Sequence, residues 1–123
     1  MQLRMTRIYN NSMDDLSRQK CVPCEGGTKP MTPSEYDVYV KQIGDTWQVV
    51  EERKIEKLFK FKNFKEALLF VNKVGAIAES ENHHPNIYMF GWNKVKITLT
   101  THAIKGLSVN DFILAAKIDI ITS

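Results

Sequence analysis

His83, His84 and His102 are the only three histidines in a chain of 123 residues, and all fall in the run 79–111. An unperturbed imidazole titrates near roughly 6.5, so it can give or take a proton near neutrality. The same run carries the carboxylates Glu79, Glu81 and Asp111. Two chemistries fit such a set. Paired imidazoles can act as general acid and general base. Three imidazoles can also hold a zinc ion with one open position. Adjacent residues in extended chain point to opposite sides, so His83 and His84 are expected to do different jobs. Pro85 biases His84 towards an extended backbone. Glu79 is placed to accept a hydrogen bond from a histidine and set its tautomer. Asp111 has two readings that the sequence leaves equal, a helix N-terminus or the site itself. Trp92 can stack on a flat ring or simply pack in a hairpin.

Cys21-Val22-Pro23-Cys24 is a second chemical motif. A Cys-x-x-Cys can be a redox dithiol or half of a zinc site. No second cysteine pair completes a four-ligand zinc site, and no strand is legible upstream, as a thioredoxin-like motif would need. Glu25-Gly26-Gly27 follows, so the segment reads as a loop with a reduced, non-catalytic pair.

The elements that position these residues are legible from pattern. Thr32-Pro33-Ser34-Glu35 is a helix start with a capping-box acid and proline in the first turn. Tyr36, Tyr39, Val40 and Ile43 then recur at helical spacing, and Gly44 supplies a stop. Residues 47–51 and 55–61 read as a hairpin turning near Glu52 and Arg53, with Leu58 breaking the alternation. A central helix is expected from Asn63 to about Ser80, with Phe64, Ala67, Leu68, Val71, Val74 and Ala78 as its apolar stripe. Its C-terminal end would deliver Glu79 to the histidine pair. Residues 86–90 and 94–101 read as a second hairpin. Val95, Ile97 and Leu99 share one face of the latter strand, and its continuation would place His102 on the polar parity. Ser108 and Asp111 open a last helix, with Val109, Phe112, Ile113, Ala116 and Ile120 as its apolar face. The order α-ββ-α-ββ-α predicts the α+β class, a single four-stranded antiparallel sheet with helices packed on one face.

Composition bounds the rest. The length fits one domain, and 43% hydrophobic with 25% charged residues is ordinary globular usage. A net charge of +3 does not argue for nucleic acid. The basic run Arg53, Lys54, Lys57, Lys60, Lys62 and Lys65 reads as a solvated strand edge and helix face. No run of about 18 apolar residues occurs, so no membrane helix is expected. Residues 1–7 lack the apolar core of a signal peptide, which makes a cytoplasmic location the default expectation. We expect residues 1–30 to form an N-terminal extension with the Cys-x-x-Cys loop, and residues 31–123 to form the folded domain. The first dozen residues read as a loose tail.

Seven residues stand in the register of a known signature. Glu79, His83-His84-Pro85, Trp92, His102 and Asp111 resemble the signature of the pterin-4a-carbinolamine dehydratases, and the similarity runs from about residue 21 to the end. Many relatives carry Asp immediately before the histidine pair. This chain has Asn82, with Glu79 and Glu81 as the nearby carboxylates that could stand in. The resemblance implies loss of water from a 4a-hydroxytetrahydropterin, with no metal or organic cofactor. It implies His83 and His102 as the proton-transfer pair and His84 as a residue that binds or orients the pterin. Glu79, Asn82, Pro85, Trp92 and Asp111 would be the substrate-binding set. It further implies the layer fold already read, a homodimer or homotetramer, and a functional link to an aromatic amino acid hydroxylase. Animal members also act as dimerisation partners of a homeodomain transcription factor. A pterin-binding or transcription-factor dimerisation module without turnover is therefore the alternative.

Overall fold

Each hairpin closes on two consecutive residues in the left-handed region, Glu51 and Glu52 (φ 55° and 58°) in one, and Gly91 and Trp92 (φ 55° and 57°) in the other. Such two-residue turns match the right-handed twist of the strands they join. A computed structural model of the chain describes residues 16–23 and 28–122. Its elements are α1 (Pro33–Gln42), β1 (Gln48–Val50), β2 (Lys54–Lys60), α2 (Phe64–Glu81), β3 (Asn86–Phe90), β4 (Lys94–Leu99), a 3-10 turn (His102–Ile104) and α3 (Val109–Ile120). The expected tail at residues 1–12 and Cys24 lie outside the described residues. The strands form one sheet in the order β1-β2-β4-β3, antiparallel throughout. This is the α+β architecture read from the sequence.

Alternation on the central strands decides which face the helices cover. Ile55 and Phe59 of β2 and Val95, Ile97 and Leu99 of β4 are buried, together with Ala67, Phe70 and Val74 of α2 and Phe112, Ile113 and Leu114 of α3. The opposite face carries Leu58, Lys96 and Tyr88 side by side across β2, β4 and β3. Capping follows expectation. The Thr32 N–H donates to Glu35 Oε1 (2.8 Å), and the Glu66 N–H donates to Asn63 Oδ1 (2.9 Å).

Three readings need correction. Phe64 and Leu68 lie largely exposed on α2, while Phe70, absent from the expected stripe, is buried. Residues 67–71 are all apolar, so several helical faces compete and only packing decides among them. Ile120 is exposed, and α3 is buried nearly all round rather than on one face. It packs against both other helices, which removes the amphipathic signal. Finally, β4 ends at Leu99 rather than continuing to Thr101.

Lys57 stands on the inward parity of β2, between Ile55 and Phe59. Its ammonium donates to Asp119 Oδ1 (2.8 Å), while Trp47 Nε1–H donates to Asp119 Oδ2 (2.9 Å). Removing one member of a buried ion pair strands the other. Asp119→Asn should therefore lower stability by about 2 kcal/mol. This would read as a lower urea midpoint at unchanged slope, and an unchanged midpoint would refute it.

Candidate functional site

Helix α2 stops where the histidines begin. Asn82 takes the left-handed conformation (φ 53°) as C-cap, and the His83 N–H bonds back to Ala78 O at 3.2 Å. Asparagine is among the few non-glycine residues that visit this region readily. The chain then passes through His83, His84 and Pro85, outside any helix or strand, into β3. Asn86 at the start of β3 pairs with Thr98 near the end of β4, so the two strands bring His84 and Thr100 to the same end of the sheet. There Thr101 pairs with Gly106, and the 3-10 turn between them opens on His102. His102 is exposed, as the polar-parity argument expected, although the turn and not a strand presents it.

The two adjacent histidines diverge as expected. His83 Nε2 lies 2.7 Å from Asp111 Oδ1, and His84 Nε2 lies 2.6 Å from Glu79 Oε2. The first pair is sheltered, with side-chain exposures of 12% and 0%; the second is open, at 56% and 79%. Asp111 caps α3 and also meets His83. Its Oδ2 accepts from the Ser108 N–H (3.0 Å) and the Thr101 hydroxyl (2.9 Å), capping α3, while Oδ1 faces His83. Ser108 and Thr101 hydroxyls also bond each other at 2.8 Å. An ionised carboxylate only accepts, so a hydrogen bond to Asp111 in that form requires the His83 proton on Nε2. That leaves Nδ1 as the nitrogen able to accept a proton.

These residues border a cleft of about 300 Å³, lined by His83, His84 and His102 with Asn82, Thr100 and Thr101. Its size is at the lower end of ligand sites, which run roughly 300–1,000 Å³. Residues 21–23, Glu81, Ala103 and Asn110 complete the lining. The described part of the segment before residue 31 is thus docked on the domain, and Leu16 is buried in the core. Thr101, Ser108 and the 21–23 strap were not marked as site residues by sequence reasoning, and only the Ser108 cap and the Cys-x-x-Cys motif left a signal. Of the expected substrate-binding set, Asn82 lines the cleft and the other four residues stand outside its lining. Asp111 is fully buried behind His83, with its Oδ1 against that ring. Trp92 sits at the β3–β4 turn, roughly 15 Å along the hairpin from the cleft, because strands rise about 3.3 Å per residue. Pro85 and Glu79 adjoin the histidines but do not line the cleft.

Burial, with the nearby Glu81 charge, pushes the Cys21 thiol up to about 12, and its Sγ–H points at Asn110 O (3.6 Å). A thiol so disfavoured as thiolate is a poor nucleophile and metal ligand. Glu81 is held differently. Burial opposes its charge, but the Cys21 N–H (2.8 Å) and the Lys117 and Lys20 ammoniums outweigh this and hold its carboxyl below the usual 4.5. The folded group thus binds a proton less readily than the unfolded one. Its contribution is complete above about pH 4.5 and is lost as pH falls through the lower folded value. We expect the Cys21 amide to exchange faster with solvent as pH drops through that window, after correction for intrinsic rates. Glu81→Gln should exchange fast throughout. A wild-type protection factor constant to pH 3 would contradict this. Among the described residues, no group of three or more His, Cys, Asp or Glu side chains is placed to hold a metal ion. None of the helices among the described residues is long and apolar enough to cross a membrane.

An α+β layer with a histidine cleft at one sheet end, one imidazole backed by a buried carboxylate, defines the class of protein. Residues 29–121 match the family model described as pterin 4 alpha carbinolamine dehydratase, and the chain belongs to that family. It is 49% identical over 107 residues to a protein of Alkaliphilus metalliredigens, covering 87% of this chain and 96% of the relative. It is 47% identical over 107 residues to one of Rubrobacter xylanophilus, covering 87% and 98%. Both are provisionally named pterin-4-alpha-carbinolamine dehydratases. A match of that length in this chain necessarily includes Cys21. Among solved structures, a transcriptional coactivator/pterin dehydratase from Brucella melitensis superposes with TM-score 0.71 at 33% identity, over 77% of this chain and all of the other. A pterin dehydratase-like protein identified as a RuBisCO assembly factor in the alpha-carboxysome gives 0.55 at 25% identity, over 63% and 90%.

Proposed function

We propose that this chain is a dehydratase that removes water from a 4a-hydroxytetrahydropterin by histidine acid–base catalysis. The observation that carries this reading is the convergence of His83, His84 and His102 on one cleft, with Asp111 behind His83. In the reaction an acid protonates the departing 4a-hydroxyl, and the C–O bond breaks. A base takes the N5 proton, and the N5–C4a double bond of the quinonoid dihydropterin forms. One proton is given and one taken, so no redox partner is needed. His83 is the base through Nδ1, since the Asp111 carboxylate stabilises the imidazolium that results. His102 is the acid, and His84, oriented by Glu79, holds the pterin. Such proton transfers contribute typically about 10²–10⁴-fold.

The product can be recycled by a reductase, which would link this protein to an aromatic amino acid hydroxylase in the cytoplasm. Leu58 and Tyr88, both more than half exposed on the outer sheet face, support a homodimer or homotetramer. The names of the two structural neighbours favour a second reading, a pterin-binding or assembly module without turnover. The test is dehydration of the carbinolamine, generated in situ by a phenylalanine hydroxylase and followed by absorbance. Acceleration by the protein is the expected result. Absence of acceleration from folded protein that still binds a pterin would select the second reading.

A further inference from the structure

The strap at residues 21–23 forms a wall of the cleft that proton transfer leaves unused. The Val22 N–H donates to Asn110 Oδ1 (3.0 Å), and Asn110 Nδ2 donates to Val22 O (2.5 Å). One side-chain amide thus pairs with the strap as a neighbouring strand would. The Cys21 N–H is held by Glu81, and Lys117 Nζ donates to Ser17 O at 2.7 Å. With these backbone groups committed to the domain, the Val22 side chain is left 56% exposed at the cleft. Pro23 follows it and has no N–H to offer. The remaining lining is mostly polar: imidazoles, Thr100, Thr101 and Asn82. A flat heteroaromatic ligand needs both surfaces, polar groups at its edge and apolar carbon against its face.

We propose that Val22 and Pro23 are the platform against which the face of the substrate's bicyclic ring packs, with Asn110 the positioning residue that holds the platform in place. The identity of the ring rests on the dehydratase reading; the platform itself does not require turnover. Packing that is equal in ground and transition states changes KM and leaves kcat. The probe is 7,8-dihydrobiopterin, titrated calorimetrically, with carbinolamine dehydration run in parallel.

Val22→Ala should weaken dihydrobiopterin binding about five- to tenfold and raise KM by the same factor, with kcat within about twofold. Val22→Ile should restore both. Asn110→Ala should weaken binding at least as much, and Val22→Ala carries the test if that variant does not fold. In wild type, the Val22 amide resonance should shift along the same titration curve. Equal binding by wild type and Val22→Ala, or an unperturbed Val22 amide, overturns the platform while leaving the dehydratase reading intact. A binding difference without any turnover keeps the platform and overturns the dehydratase reading. Wild-type protein that neither binds the pterin nor turns over overturns both.

Discussion

His83→Ala is expected to lower kcat/KM for carbinolamine dehydration by about 10²–10⁴-fold, some 3–5 kcal/mol of transition-state stabilisation. The size follows from how completely this ring is committed. Its Nε2 is 2.7 Å from a fully buried carboxylate, its side chain is 12% exposed, and it borders the cleft. The variant leaves Asp111 Oδ1 without its donor. Removal of the ring would open that oxygen to the adjoining cleft and its solvent, so the stability cost should be only about 1 kcal/mol. Circular dichroism and dihydrobiopterin binding should therefore stay near wild type while turnover collapses. His102→Ala should fall in the same range, because in the proposed mechanism one group gives the proton and the other takes it. His84→Ala should lose less, since its pair with Glu79 is open to solvent and such pairs hold geometry weakly. The wild-type pH–rate profile should be bell-shaped, with both limbs between about pH 5 and 9. Turnover by His83→Ala within threefold of wild type, or a flat profile, would remove the acid–base assignment.

The parts of this molecule that were legible in the sequence are those where a local rule and the fold agree. Val95, Ile97 and Leu99 alternate, and all are fully buried on the helix side. Thr32 with Glu35 and Ser108 with Asp111 form the capping pairs their spacing announces. Where a segment is apolar all round, pattern runs out. Phe70 and Leu68 are chemically equivalent candidates for the core, and only the position of α2 over the sheet selects the first. Within the site, spacing along the chain gives residues but not neighbours. Trp92 and His102 occupy equally regular places in the signature, yet the β3–β4 hairpin carries one to its tip and returns the other to its base. The strap stood out only as a Cys-x-x-Cys motif, with no signal of where it docks. Its partners Glu81 and Asn110 lie 60 and 88 residues away, and nothing in Cys21-Val22-Pro23 says what it will face.

On the proposed mechanism Asp111 offers the sharpest separation of folding from function, because one oxygen caps α3 and the other faces His83. Asp111→Asn keeps the size and can keep an oxygen towards the Ser108 N–H, so α3 stays capped. Its amide nitrogen then faces His83 Nε2, which must accept rather than donate. The proton moves to Nδ1, the nitrogen proposed as the base. The same tautomer inversion is the reason the corresponding substitution in the Ser-His-Asp triad is so damaging, and about 10²–10⁴-fold in kcat is expected here. Stability should fall by about 1–3 kcal/mol, since the buried bonds from the Ser108 N–H and the Thr101 hydroxyl then end on a neutral amide oxygen instead of a carboxylate. Asp111→Ala should lose as much activity and more stability, because the cap goes as well. A purely structural role predicts that activity tracks the folded fraction in both variants. The positioning role predicts that Asp111→Asn, fully folded at 20 °C, is inactive, with the His83 ring-nitrogen resonances exchanged between the Nε2–H and Nδ1–H patterns. A folded, active Asp111→Asn with the wild-type tautomer would reduce Asp111 to a helix cap. His83 would then have to act without the carboxylate behind it.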